Sequence, residues 1–321
     1  MKPKIANLGL ISLLIVSIIY ASCKPAPVIK HNGEKDLISF KSVEGISYAE
    51  ISRRQKNGLS FNQYGYQLEP QWKLKFVSDD SVNIYSYDRK AFFNFPLTRG
   101  YDSVFNTIGT WLKLKKMSKD SLVLEVLKSE ADSVDITGAE VYMTFYANNY
   151  IQNVLHTDIA TLRQSSHRDS LFIKSLVNQA NTNMEKAFAA RQPAILVSKS
   201  PAIKVKKWKA EGDILNNFDT SEDYFDPAYS ITINKAYANF FYSFSVYVDD
   251  KGQMHYGKPL NAFTDQGYED DYIRLSKAVL DNYLKHYLQA IPGKTLNMTH
   301  TSLIRIYVEG KADALAMLRK K

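Results

Sequence analysis

WKLKFVSDDSVNIYS, Trp72 to Ser86, alternates apolar and polar residues on both sides of a Ser78-Asp79-Asp80-Ser81 centre. Alternation with period two puts every second side chain on one face, which is the pattern of a half-buried strand. The acidic, serine-flanked centre supplies turn residues. The stretch therefore predicts a β-hairpin. Ala91 to Leu97 follows as a third run. Leu122 to Leu127 and Val141 to Tyr146 read as two further strands. Between the third run and these two, Asp102 to Thr107 reads as a short helix opening with Asp102 as its cap. Residues 46–155 are predicted to be a β-rich module.

WKLKFVSDDSVNIYS, taken with SKDSLVLEVL (Ser118–Leu127), resembles the small lipocalin-like modules of Bacteroidetes lipoproteins. That resemblance implies an antiparallel sheet or barrel. Lipocalin barrels hold a small apolar ligand in the mouth. A barrel filled by its own side chains is the preferred reading, with a ligand-holding barrel as the alternative.

Residues 156–225 read as a connecting region. Asp169 to Ala190 has helical stretches, most clearly Asn183 to Ala190. Ile195-Leu196-Val197 and Ile203-Lys204-Val205 suggest short strands, and Asp219 to Pro227 reads as a loop. Residues 226–321 are organised more strongly. Phe244 to Val248 is a strand, Asp249-Asp250-Lys251-Gly252 a hairpin turn with Gly252 placed for positive φ, and Met254 to Leu260 the return. A helix is predicted over Glu269 to Ala290, with Leu275, Val279 and Tyr283 in one stripe and Leu280, Leu284 and Leu288 beside it. Pro292-Gly293 ends it. Leu303 to Val308 is the last strand.

FSVYVDDKGQMHYGKPL, a helix, then IPGKT and SLIRIYVEG resemble the TonB C-terminal domain over residues 229–309. The chain lacks the Tyr-Pro motif, the Pro/Lys-rich spacer and the inner-membrane helix of an energy transducer. The resemblance implies a TonB-like domain carried on a lipoprotein. In that family the last strand adds a partner's short segment. On this reading Ile304, Ile306 and Val308 face the helix. Leu303, Arg305 and Tyr307 lie on the open face of a terminal edge strand and are the partner-binding candidates. The fold class is thus α+β: an antiparallel β module followed by a hairpin, helix and strand domain.

The only cysteine, Cys23, stands after a run of 13 residues, Leu8 to Tyr20, that is broken only by Gly9, Ser12 and Ser17. Lys2 and Lys4 precede the run. It is short against the roughly 20 residues of a membrane span. A basic start, a short apolar core and small residues at its end describe a secretory signal over residues 1–22. Ala21-Ser22-Cys23 resembles the lipobox of bacterial lipoproteins, which implies lipidation of Cys23 and a tether over residues 23–45. Lys24 is not the aspartate of inner-membrane retention. An outer-membrane lipoprotein on the periplasmic side is expected, with the cell surface as the alternative. No disulfide is open to a chain whose one cysteine is lipidated.

Of 41 basic residues, Lys2 and Lys4 leave with the signal, so 39 stand against 33 acidic ones. The densest basic stretches, WKLKF, LKLKKM and IKVKKWK, alternate lysines with apolar residues. They read as wet strand faces rather than a nucleic-acid patch. The six histidines, His31, His156, His167, His255, His286 and His300, form no H-x-x-x-H or H-E-x-x-H pair. His286, late in the helix, reads as a dipole partner. No G-x-S-x-G or phosphate-binding loop occurs. Asp79-Asp80, Asp249-Asp250 and Asp270-Asp271 read as turn and helix-start residues. Asp219-x-Ser221-x-Asp223 lacks the glycine and glutamate of a calcium loop. The expectation is an envelope module for binding or scaffolding, with no catalytic residues, metal, cofactor or nucleic-acid partner. Its contacts are the membrane through the lipid and an envelope protein through strand addition. A carrier of a small apolar ligand and an uncharacterised hydrolase are the alternatives.

Overall fold

The computed structural model describes residues 37–87, 89–130, 133–135, 141–209 and 222–312. Cys23, the signal and the tether through residue 36 lie outside the described residues, as do His31, Asp219 and Ser221. The described chain is mostly β, with few helices.

Nine strands make the first sheet: β1 (Ser47–Gln55), β2 (Lys73–Ser78), β3 (Ser81–Ser86), β4 (Ala91–Pro96), β5 (Thr98–Arg99), β6 (Val104–Thr107), β7 (Thr110–Met117), β8 (Ser121–Val126) and β9 (Val141–Ala147). Their order is β4-β3-β2-β1-β9-β8-β7-β6-β5, and each neighbouring pair is antiparallel. The two ends of this order, β4 and β5, are separated in sequence by Leu97 alone. The sheet has therefore curled until its ends meet, giving a nearly closed barrel. Alternation decides the lining. Leu74, Phe76, Val82 and Ile84 are buried with Phe105, Leu112, Leu122, Leu124, Met143 and Phe145, while Lys73 and Lys75 take the other side of β2.

Val104–Thr107 is a strand, not the helix opening read from Asp102. Asp102 and Ser103 have φ of +56° and +63° and turn the chain into β6. Burial of Val104, Phe105 and Thr107 between β5 and β7 outweighs the local capping signal.

The barrel continues N-terminally beyond the boundary expected for the tether. Residues 38–45 pack into it. Phe40 is fully buried, stacked on Phe76 at 4.1 Å and edge-on to Phe105 at 5.2 Å. The turn Asp79 holds it there. Its carboxylate accepts from the Phe40 amide (2.6 Å) and the Ser39 hydroxyl (3.0 Å), and Arg99 donates to the Ile38 carbonyl (3.1 Å). Composition alone marked these residues as tether. Long-range burial of one phenylalanine overrides it.

Helix α1 (His167–Thr182) begins at a capping box of Ser166 and Asp169. Burial alone would push the Asp169 carboxyl up. Bonds from Ser166, the Ser60 amide and Arg54 outweigh it and hold the carboxyl below its usual range. The helix lies earlier than the stretch read as most helical. Asn183–Ala190 carries only a 3₁₀ turn at Met184–Lys186, because the Asn183 side chain accepts from the Glu185 amide and breaks the helix. Ile173, Val177 and Ala180 of α1 bury Phe61, from the loop after β1, together with Phe188.

His300 stacks on Phe188 at 3.8 Å and is fully buried. Its Nδ1 lies 3.1 Å from the Thr301 carbonyl, which only accepts, so the proton sits on Nδ1. Nε2 then accepts from the Thr295 hydroxyl at 3.0 Å. Burial pulls its pKa down to about 4.

The second sheet has five strands: β10 (Ile203–Lys207), β11 (Ala228–Ala236), β12 (Phe240–Val248), β13 (Met254–Pro259) and β14 (Ser302–Ala312), in the order β10-β11-β14-β12-β13. The turn between β12 and β13 holds Gly252 at φ +80°. A Cβ there would meet the Ala290 carbonyl at 2.3 Å, so both conformation and space require glycine. Helix α2 (Gln266–Val279) starts at the Asp265 cap and continues through a π segment, Leu280–Leu284, to Tyr287. It stops short of Ala290 because Leu288–Ile291 pairs as a strand with Ile195–Ser198. Val279, Leu280, Leu284 and Leu288 are buried against Ile304, Ile306 and Val308. Leu275 is not among them and is 37% exposed. The described residues from Ile38 onward fall in one compact unit.

The final strand is a correction to the sequence reading. β14 is not an edge. It pairs in parallel with β11 over Ala228–Ala236 and antiparallel with β12 over Phe240–Val248. From Arg305 to Gly310 its backbone is paired on both sides, which leaves no side there for an incoming segment. The sheet edges are β10 and β13, and β10 carries Lys204, Lys206 and Lys207, which blunt it.

Replacing Phe40 by alanine is expected to cost about 3–5 kcal/mol, read as a lower urea midpoint with an unchanged slope. A second expectation concerns acid. The unfolded chain protonates His300 near pH 6.5, the folded protein only near 4. Between these values the unfolded state holds more protons, so stability falls as the pH drops, by about 3 kcal/mol from this group. Urea titrations from pH 7 to 4 should show that slope, and His300→Gln should flatten it.

Candidate functional site

The five-stranded sheet has one face covered by α2 and one that is not. Alternation along β14 puts Leu303, Arg305, Tyr307 and Glu309 opposite the buried Ile304, Ile306 and Val308. The register extends this uncovered face across the sheet. Lys206, Ser230 and Tyr307 form one row, which ends at the buried Ser243 of β12, and Lys204, Thr232, Glu309 and Phe241 form the next. Leu303 is 38% exposed; Arg305 and Tyr307 are half-buried.

Lys204, Lys206 and Trp208 follow the same period two, so the indole arrives where the lysines point. The Trp208 amide donates to the Ala228 carbonyl at 2.9 Å and extends the pairing of β10 by one residue. The indole lies flat over Tyr307, with ring centroids 4.7 Å apart and planes 7° from parallel. Its Nε1 donates to the Ser230 hydroxyl. The ring is still 48% exposed. Two independent contacts fix it, and one side of the ring remains outward.

Beside it is a cavity of about 350 Å³ lined by Trp208, Lys209, Asp223, Asp226, Pro227, Ala228 and Arg305. Arg305 pairs with Asp226, while its buried Nε has no hydrogen-bond partner among the described residues. The wall containing Asp223 and Asp226 is anchored from behind by Tyr224. Tyr224 is buried, accepts from the Gln67 amide at 2.9 Å and sits under the Arg191 guanidinium at 4.4 Å. Burial pushes its phenol up to about 12, so it stays a neutral anchor at any physiological pH.

The structure brings Arg305 and Tyr307 together with Trp208 and Asp226, which sequence reading did not single out. Leu303 lies one step further along the same face. Cys23 lies outside the described residues. The signal for Trp208 was present in IKVKKWK, where an aromatic ring takes the place of a lysine on the wet side. Asp226 and Asp223 come from a segment far from β14 in sequence, and only folding joins them.

The acidic doublets take structural posts. Asp79 holds Phe40, and Asp80 pairs with Arg99. Asp249 accepts from the Lys251 and Gln253 amides and from His255 at 3.0 Å. Burial would raise its carboxyl, but these bonds hold it low. Asp271 pairs with Arg274 on the exposed side of α2, whose cap is Asp265. Among the described residues no group of three or more His, Cys, Asp or Glu side chains is placed to hold a metal ion. No protein-family model matches the chain. No curated protein matches it either.

The central position of β14 sets an expected outcome. Tyr307→Pro removes a ladder donor between two paired neighbours and should cost on the order of 3 kcal/mol or more, read as loss of the cooperative urea transition. Tyr307→Ala keeps the backbone, loses about 1 kcal/mol of stacking, and should shift the Trp208 emission to longer wavelength.

Proposed function

We propose that this chain is an envelope lipoprotein, held by a lipid on Cys23 to the periplasmic side of the outer membrane. It acts as a non-catalytic binding or scaffolding module. The observation that supports this best is the uncovered face of the five-stranded sheet. There Trp208, Tyr307 and Arg305 are held in fixed positions by neighbours that have no other evident use for them. An aromatic ring fixed at about half exposure loses little side-chain freedom on contact, which favours recognition. The TonB-like reading of residues 226–321 agrees with a hairpin, a covering helix and a final strand beside the first. It departs from that family in the mode of binding, since β11 occupies the side of β14 where an added strand would lie. Contact with an envelope component is therefore made through side chains on the face.

The lipocalin-like carrier reading is less well supported. The middle of the barrel is occupied by Phe40, Phe76, Phe105 and Phe145, all at most 1% exposed. A ligand on the barrel axis would have to displace them.

Two measurements test the proposal. Cys23→Ala should move the protein from the membrane to the soluble fraction and abolish palmitate labelling. A photo-crosslinking residue at Leu303 should give adducts in intact cells that are absent with the same residue at Leu171, an exposed position on α1. A membrane-bound Cys23→Ala protein sinks the address. Equal adducts from both positions sink the choice of face.

A further inference from the structure

We infer that the cavity beside Trp208 is a binding site for a neutral pyranose, one unit of an oligosaccharide. The inference rests on the reading of the uncovered face as a binding surface and specifies its ligand.

A pyranose ring has two chemical aspects. Its broad face carries C–H groups with small positive charge, and its rim carries hydroxyls. The face matches an indole, whose π surface is negative and whose flat area gives many dispersion contacts. The rim matches carboxylates, which accept hydroxyl protons, and cationic nitrogens, which donate to hydroxyl oxygens. Trp208 offers such an indole face, fixed underneath by Tyr307 and at Nε1 by Ser230. The cavity at its side is lined by two carboxylates, Asp223 and Asp226, and two cations, Lys209 and Arg305. The Arg305 guanidinium, 39% exposed, supplies donors in the same wall.

Charge selects within the class. The lining holds two carboxylates and two cations, so its formal charges sum to zero and do not single out an anion or a cation. It offers both donors and acceptors, which is what a polyhydroxyl rim requires. Size agrees as well. About 350 Å³ is at the small end of ligand pockets, enough for one ring with its neighbours in solvent. The preformed platform removes much of the ordering penalty of association.

The test uses the purified soluble chain from residue 24 onward and isothermal titration calorimetry. The probes are chitotetraose and maltotetraose as neutral pyranose oligomers, with a tetragalacturonate as the anionic comparator. Binding of at least one neutral probe in the micromolar to millimolar range is expected. Trp208→Ala should weaken it about tenfold or more, the equivalent of about 1.4 kcal/mol. Trp208→Phe keeps a smaller platform and should lose only a few-fold. Asp226→Asn leaves the lining with one net positive charge, and should weaken the neutral probe while strengthening the uronate. Circular dichroism and thermal melts of the three variants confirm folding, and the phenylalanine and asparagine variants carry the test if the alanine variant does not fold.

Failure of both neutral probes to bind overturns the inference, as does unchanged binding by Trp208→Ala or tighter binding of the uronate by the unaltered protein. These results leave the Leu303 crosslinks untouched. Loss of face-specific crosslinks with saccharide binding intact would instead overturn the envelope-partner reading alone.

Discussion

Everything in the C-terminal half depends on the two-sided pairing of Ser302–Ala312. One side of this strand is bonded to β11 in parallel, the other to β12 in antiparallel fashion. Its buried face, Ile304, Ile306 and Val308, receives the end of α2. Its other face carries Arg305 and Tyr307, which give Trp208 its seat and Asp226 its partner. One strand thus sets both the core and the surface. A backbone bonded on both sides is also a rigid base, so the aromatic stack above it has a fixed height and tilt.

The barrel's architecture was legible where period two was strong. Trp72–Ser86 forms the hairpin its alternation describes, and the Asp79–Asp80 turn lies where the serine-flanked acids put it. Gly252 has the positive φ its turn requires. What failed was local inference overruled by distant burial. Asp102 looks like a helix cap, yet Phe105 is needed in the barrel wall. Residues 38–45 look like a linker, yet Phe40 fills the space against Phe76. The terminal position of β14 in sequence suggested an edge, but β11 lies parallel beside it. Ala228–Ala236 is a further strand beyond those the sequence reading names, and its Tyr229, Ile231 and Ile233 alternate with Ser230, Thr232 and Asn234. The rows of the uncovered face come from strands up to a hundred residues apart, and no local pattern reports such a meeting.

The buried carboxylates show why acidic residues alone did not point to chemistry. Glu50 is fully buried, yet its oxygens accept from Arg53 at 2.7 and 2.9 Å and from the amides of Gln71 and Trp72 at 2.8 and 2.9 Å. Asp169 is bonded as completely at the start of α1. Carboxylates whose lone pairs are already taken by fixed donors serve as braces. Here they tie the segment before β2 to β1, and the loop after β1 to α1.

The strand order also constrains how the molecule is made. β11 and β12 are consecutive in the chain, run antiparallel, and are joined by only Tyr237, Ala238 and Asn239. They would form a ready hairpin, yet in the finished sheet a whole strand lies between them. Three residues just reach across two strand spacings, about 9.6 Å. Among the described strands, the one that fills the gap is made last. A ribosome therefore releases β11 and β12 about fifty residues before their common neighbour begins. Completion waits for Ser302–Ala312, and until then the edges of β11 and β12 stand open to each other. A chain cut before Ser302 would lack the centre of this sheet rather than its margin.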